Sequence, residues 1–228
     1  MTHKKQFHIF SITVIIGIAA FLLGCASAPK DYVDYKQIRP RSILVMPPLN
    51  NTVDISASPI FLAASVKPLA ESGYYVIPVA LSQEMFRQNG IYTAADANEI
   101  SHKRLNEIFG ADSALYITIT KFGAVFQLVR SVVQAEAEAK LVDLKTGTLL
   151  WSGSVFVEES PSNTQVSSSG GLAAQLLLAV GAAIVDQVAN NLTKASYGVG
   201  FRAAETLLDA RYPKSLLYGP YHPEYETD

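Results

Sequence analysis

The chain has 228 residues, of which 49% are hydrophobic and 17% charged, with a formal net charge of −2. With no basic excess it lacks the electrostatic footprint of a nucleic-acid-binding protein. Its single cysteine excludes an internal disulfide, so stability has to come from packing, and the length suffices for one domain with its own core.

In chain order, Lys4 and Lys5 come first, followed by an apolar stretch from Phe7 to Leu23 that closes on Leu22-Leu23-Gly24-Cys25. Positive, apolar and small residues in that order form an export signal. The closing tetrad is a lipobox, the pattern read by bacterial lipoprotein-processing enzymes. Gly24 is small enough for the peptidase. The Cys25 thiol receives diacylglycerol, and its amine becomes available for acylation after cleavage. A transmembrane anchor with an incidental cysteine fits less well, because the run falls short of the roughly 20 residues a spanning helix needs. Acyl chains contribute about 0.8 kcal/mol per buried methylene, so several chains on one cysteine anchor stably. Ala26, where Asp would signal inner-membrane retention, favours the outer membrane. Residues 1–24 are therefore expected to be a signal peptide. They hold two of the 18 basic residues and none of the 20 acidic ones, so their removal takes the charge from −2 to −4.

Residues 25–40, polar and containing Pro29 and Pro40, read as a lipidated tether. An α/β domain is expected over 41–212. Ser42 to Met46, stopped by Pro47-Pro48, has the continuous apolar character of a buried central strand. Asn50-Asn51-Thr52 and Asp54 follow as a polar loop. Ser58-Pro59 reads as a helix start, with Phe61, Leu62, Ser65, Val66 and Leu69 at helical spacing, Pro68 inside and Gly73 as the stop. Tyr74 to Val79 is the next strand, giving a parallel βαβ unit. Leu81 to Gln88 is a short helix and Thr93 to Glu99 a polar connection. A helix capped by Ser101 and ended by Gly110 carries Leu105, Ile108 and Phe109. Ala114 to Thr120 is the third strand.

The pattern then alternates. In Ala135-Glu136-Ala137-Glu138-Ala139-Lys140 the charged side chains share one wet face and the alanines the packed one. Lys145-Thr146-Gly147 is a hairpin turn, and Leu149-Leu150-Trp151 with Val155-Phe156-Val157 is the returning strand. Ser160 to Gly171 reads as a loop. Leu172 to Asn190 reads as an apolar helix, which leaves core packing, a subunit contact or a membrane contact open. A last amphipathic helix from Ser196 or Tyr197 to Leu208 points Phe201, Leu207 and Leu208 inward and ends near Tyr212-Pro213. Residues 213–228, where Tyr218, Tyr221 and Tyr225 interleave with Pro220 and Pro223, read as an extended tail. The tail docks either on a partner or back on its own domain. The fold class is α/β: a three-layer-like mixed sheet with an N-terminal parallel βαβ part, an antiparallel hairpin and C-terminal helices.

Catalytic and cofactor signals are weak. Gly198-Val199-Gly200-Phe201-Arg202-Ala203 fits a dinucleotide fingerprint only on paper, because a helix rather than a strand precedes it. Small-residue helix packing is the better reading. Glu136 and Glu138 could be a carboxylate pair, but Lys140 continues the row and a solvated face explains all three. Beyond residue 24 only His102 and His222 remain as imidazoles, which is poor material for a metal site. There is no Gly-x-Ser-x-Gly elbow and no phosphate loop. The expectation is a protein that is not an enzyme and uses no cofactor or metal.

Five stretches carry a resemblance. They are Arg39 to Val45, Pro47-Pro48-Leu49-Asn50-Asn51, Leu69 to Val76, Phe109 to Ile117, and Ala137 to Gly147. With these the chain resembles a family of bacterial lipoproteins catalogued as a domain of unknown function, whose best-known member is a neisserial surface-antigen lipoprotein of the GNA series. That resemblance implies an α/β domain similar to the N-terminal domain of TolB and to the periplasmic domains of CsgG-type and PelC-type envelope lipoproteins, which form oligomers. It implies a role in envelope assembly or export and carries over no catalytic residue. The expected protein is therefore a lipid-anchored, outer-membrane accessory subunit. Its expected partners are the membrane, further copies of itself as a homo-oligomer, and a CsgG-like envelope lipoprotein, with no nucleic acid. The competing reading is a periplasmic ligand-binding lipoprotein that uses the loop from Asn50 to Asp54, since open α/β sheets bind ligands at the ends of their strands.

Overall fold

The structure, a computed structural model, describes residues 32–126, 131–159 and 181–227. Chain contacts divide the protein after Asp31, and the elements described belong to the unit from Tyr32 onward. The signal peptide, Cys25, the Ser160–Gly171 loop and the first part of the apolar helix, residues 172–180, lie outside the described residues.

The elements are α1 (Val33–Ile38), β1 (Ser42–Val45), β2 (Leu49–Asn50), α2 (Ala57–Glu71), β3 (Tyr75–Val76), α3 (Val79–Gln88), α4 (Ala94–Asn98), α5 (His102–Phe109), β4 (Ser113–Phe126), β5 (Ser131–Asp143), β6 (Leu149–Glu159) and α6 (Gly181–Leu208). They build one six-stranded mixed sheet in the order β3-β1-β4-β5-β6, with β2 also paired to β4. The N-terminal part is parallel, with Ile43 against Val76 on one side and against Ser113 on the other. From β4 onward the sheet is an antiparallel meander. The fold is thus the mixed α/β sheet expected, with its parallel βαβ part and antiparallel hairpin.

Each face of the sheet has its own apolar cluster. On one face α2 and α6 lie over the long strands. Phe61 and Leu69 from α2, and Val199, Ala203, Ala204, Leu207 and Leu208 from α6, meet Ile117 and Ile119 of β4 and Ala135, Ala137, Ala139 and Leu141 of β5. On the other face Leu44, Met46 and Ala114 meet Phe86 of α3, Ala97 of α4 and Leu105 of α5. β1, buried on both sides, is the central strand its unbroken apolar run predicts. The middle of β5 is buried on one side only, as its alternation requires. Ala135, Ala137 and Ala139 are inside, Glu138 and Lys140 are exposed, and Glu136 is half-buried beside Lys121.

Several local readings change. α1 falls inside the stretch expected as polar tether, where Tyr32, Tyr35 and Ile38 recur at helical spacing and pack on the core. Thr93 to Glu99 is not merely a connection. Thr93 caps α4 by accepting the Asp96 amide and donates its hydroxyl to the Asp96 carboxylate, a local box that specifies a helix start. α2 begins at Ala57 rather than at Pro59, and the Ser58 hydroxyl instead donates to the Pro48 carbonyl. β4 runs to Phe126, well past Thr120. The two C-terminal helices are not separate, because α6 runs unbroken from Gly181 to Leu208. Phe201 is not inward but 46% exposed. Small residues take the inward positions instead: Gly200 sits so close to α2 and β4 that an added Cβ would lie 2.6 Å from Ile60 Cγ2 and 3.1 Å from Phe122.

One carboxylate ties the strand starts together. Asp112 Oδ2 accepts from the Arg41 amide at 3.1 Å and the Ser42 hydroxyl at 3.2 Å, and Oδ1 lies 3.2 Å from Lys145 Nζ. Its own amide donates to Ser42 Oγ, and its carbonyl accepts from the Leu144 amide. Burial alone would raise its pKa, but the Arg41 amide, Lys145 and Ser42 together hold it below the ordinary carboxylate value.

Two predictions follow from this packing. Gly200→Val should destabilise the protein by about 1–3 kcal/mol through overpacking, read as a lower denaturant midpoint at unchanged slope. Asp112→Asn should cost about 1 kcal/mol near neutral pH, the low end for charged hydrogen bonds because the site is partly solvated. The Asp112 contribution is present above the normal carboxylate pKa and lost as pH falls through its lowered folded value. Stability of the unmodified protein should therefore drop more steeply than that of the variant below about pH 4.

Candidate functional site

The loop after β2 is the candidate ligand site predicted from sequence. The side chains of Asn50, Thr52, Asp54 and Ser56 are engaged with one another. Asn50 Oδ1 accepts from the Thr52 amide (3.0 Å) and hydroxyl (2.8 Å), while Asn50 Nδ2 donates to the Asp54 carbonyl. Asp54 Oδ1 accepts from the Ser56 amide and hydroxyl. These are local turns that satisfy the backbone where the chain leaves the sheet. Facing solvent are Asn51 and two aliphatic side chains, with Val53 100% and Ile55 90% exposed. The chemistry on offer is an apolar tip beside one amide, not a ring of free donors around a cleft.

The charged row behaves as a solvated face. Lys121 pairs with Glu136 and sits over the Phe156 ring at 5.3 Å. The Glu136 pKa is lowered chiefly by the hydrogen bond from Lys121, the opposite of what a general acid needs. Glu138 and Lys140 stand exposed beside Ser154 and Ser152 of β6. Gly198 to Ala203 lie inside α6, with no strand leading into them, so the fingerprint is a packing surface. His102 makes an edge contact with Tyr116, whose hydroxyl is buried and whose pKa is raised by that burial. His222 stacks on Tyr218 with centroids 4.1 Å apart. The two imidazoles thus sit in separate aromatic contacts. Among the described residues no group of three or more His, Cys, Asp or Glu could hold a metal ion.

The tail lies on its own domain. Gly219 and Tyr221 donate their amides to the Ser72 and Gly73 carbonyls, Trp151 Nε1 donates to the Lys214 carbonyl, and Leu216 is buried. A small cavity of about 10 Å³, room for roughly one water, lies where the tail meets α1, lined by Tyr35, Arg39, Tyr74 and Tyr225. No helix among the described residues is long and apolar enough to cross a membrane.

With this geometry in place, comparison with known proteins settles the family. The family model described as "Putative lipoprotein GNA1162-like" matches residues 30–221. The chain belongs to the GNA1162-like lipoprotein family. It is 42% identical over 212 residues, covering 91% of this chain and 95% of the relative, to "Putative lipoprotein NMB1124/NMB1162" of Neisseria meningitidis serogroup B. The crystal structure of lipoprotein GNA1162 from Neisseria meningitidis matches with a TM-score of 0.53 and 42% identity, covering 66% of this chain and 99% of that one. The PelC dodecamer from Paraburkholderia phytofirmans aligns at a TM-score of 0.41 and 11% identity, over 79% of this chain and 90% of that one. A likeness that slight carries nothing about assembly. The resemblance read from the five sequence stretches is therefore correct at the level of the family.

Asn50→Ala should remove the bonds that shape the 51–56 loop. We expect amide exchange across the loop to rise and global stability to fall by about 1 kcal/mol, with the β4–β5 amides unchanged.

Proposed function

We propose that this family member is a lipoprotein anchored through Cys25 in the outer membrane. Facing the periplasm, it serves as a non-enzymatic assembly or accessory subunit of an envelope or export complex. The observation that carries the reading is the conjunction of Leu22-Leu23-Gly24-Cys25 with membership in a lipoprotein family. Acylation concentrates the domain in two dimensions, where weak self-association becomes effective, so a homo-oligomer is the expected state. A CsgG-like envelope lipoprotein is the class of partner proposed. The apolar tip at Val53 and Ile55 and the open face of β5 and β6 supply contact surface for such work. For the ligand-binding alternative the loop after β2 offers little, because Asn50, Thr52, Asp54 and Ser56 bond to one another and Asn51 is left as the exposed amide.

Cys25→Ser should abolish incorporation of radiolabelled palmitate and leave a soluble or unprocessed protein. Label entering that variant would overturn the anchor. Cross-linking in intact cells, followed by mass measurement of the detergent-solubilised species, should show multiples of the single-chain mass. A species that stays at one chain over the whole concentration range, with nothing co-purifying, would contradict the assembly role.

A further inference from the structure

α1 is a helix that should not persist by itself. It has six residues, no side-chain hydrogen bond at its N-cap, and a C-cap at Arg39 held at φ 48°, which is unfavourable for a residue with a Cβ. On the domain side it touches β6 and buries Tyr35. Polar contacts join it to the C-terminal tail as well. The Tyr32 hydroxyl donates to the Ser215 carbonyl at 2.7 Å. The Tyr35 hydroxyl meets the Tyr74 hydroxyl at 2.7 Å, and Tyr74 passes its proton on to the Leu217 carbonyl. The Arg39 guanidinium lies over the Tyr225 ring at 5.0 Å and 3.5 Å from Glu226.

The tail in turn depends on a close backbone approach. Gly219 lies against Gly73, which has φ +88°. A Cβ on Gly219 would run into the Gly73 carbonyl and come within 2.9 Å of the Tyr74 ring. Two glycines face to face let the tail amides reach the Ser72 and Gly73 carbonyls, beside the sheet edge at β3.

We infer that α1 and the tail form a single latch, in which the tail holds the helix and the two release together. Release frees residues 32–40 ahead of β1, about 30 Å of chain at full extension. The latch therefore sets how far the domain can stand from whatever holds its N-terminus. This inference needs neither acylation nor a partner, and so stands or falls apart from the proposed function.

Hydrogen exchange on the full chain tests it. Gly219→Ala displaces the tail without touching α1. Amides of residues 33–39 and 216–226 should then exchange faster together, by about tenfold or more, with β4 and β5 unchanged. Trypsin should cut after Lys36 faster by a similar factor. Gly73→Ala, whose Cβ would lie 2.4 Å from the His222 amide nitrogen, displaces the tail from its other side and carries the test should Gly219→Ala not fold. The latch is refuted if the tail loosens while α1 keeps its protection, if neither segment responds to either variant, or if both respond only in step with β4 and β5.

Discussion

The fold depends on how closely two helices can lie on three long strands. β5 turns Ala135, Ala137 and Ala139 toward the helices, and α6 answers with Gly200, Ala203 and Ala204. Small side chains on both surfaces remove the usual spacers. The larger groups around them, Phe61, Phe122, Leu207 and Leu208, then fill the margins. Dispersion and apolar burial both fall off with any gap, so this approach holds α2 and α6 in register with the meander. Trp151 shows the same logic on β6: its ring lies across Gly153, where a Cβ would strike it.

Among the described residues that arrangement leaves the second face of β5 and β6 without a helix over it, because α3, α4 and α5 cover the other end of the sheet around Leu44 and Ala114. An antiparallel sheet tolerates one wet face, provided the residues there are polar. Glu138, Lys140, Ser152 and Ser154 meet that condition, and Lys121 with Glu136 closes the row. The charges that might have suggested acid–base chemistry are the ones a half-covered sheet requires.

The start and the end of the described chain are brought side by side, with Arg39 next to Glu226. Near the same strand starts Asp112 joins β1, β4 and the turn at Lys145 through bonds that hold one carboxylate ionised. The domain is thus most heavily cross-tied where its chain enters. At the far ends of the strands, by contrast, the loop after β2 offers two bare aliphatic side chains.

Local chemistry was enough to write much of this in advance. The unbroken run Ile43 to Met46 could only be a strand buried on both faces, and the Ala-Glu alternation could only be a strand with one wet side, because side-chain periodicity is a property of the backbone. The Ser101 cap, the Gly110 stop and the turn at Gly147 were legible for the same reason. The family is likewise written in short contiguous stretches. Tertiary structure decided the rest. α1 lies where core packing at Tyr35 and contacts with Ser215 and Glu226, far along the chain, hold it. Phe201 faces outward because Gly200 and Ala204 occupy the place against α2, a choice set by the space available and not by hydrophobicity. The tail lies on its own domain because Gly73 leaves room for its backbone, and no local pattern in residues 213–228 contains that information.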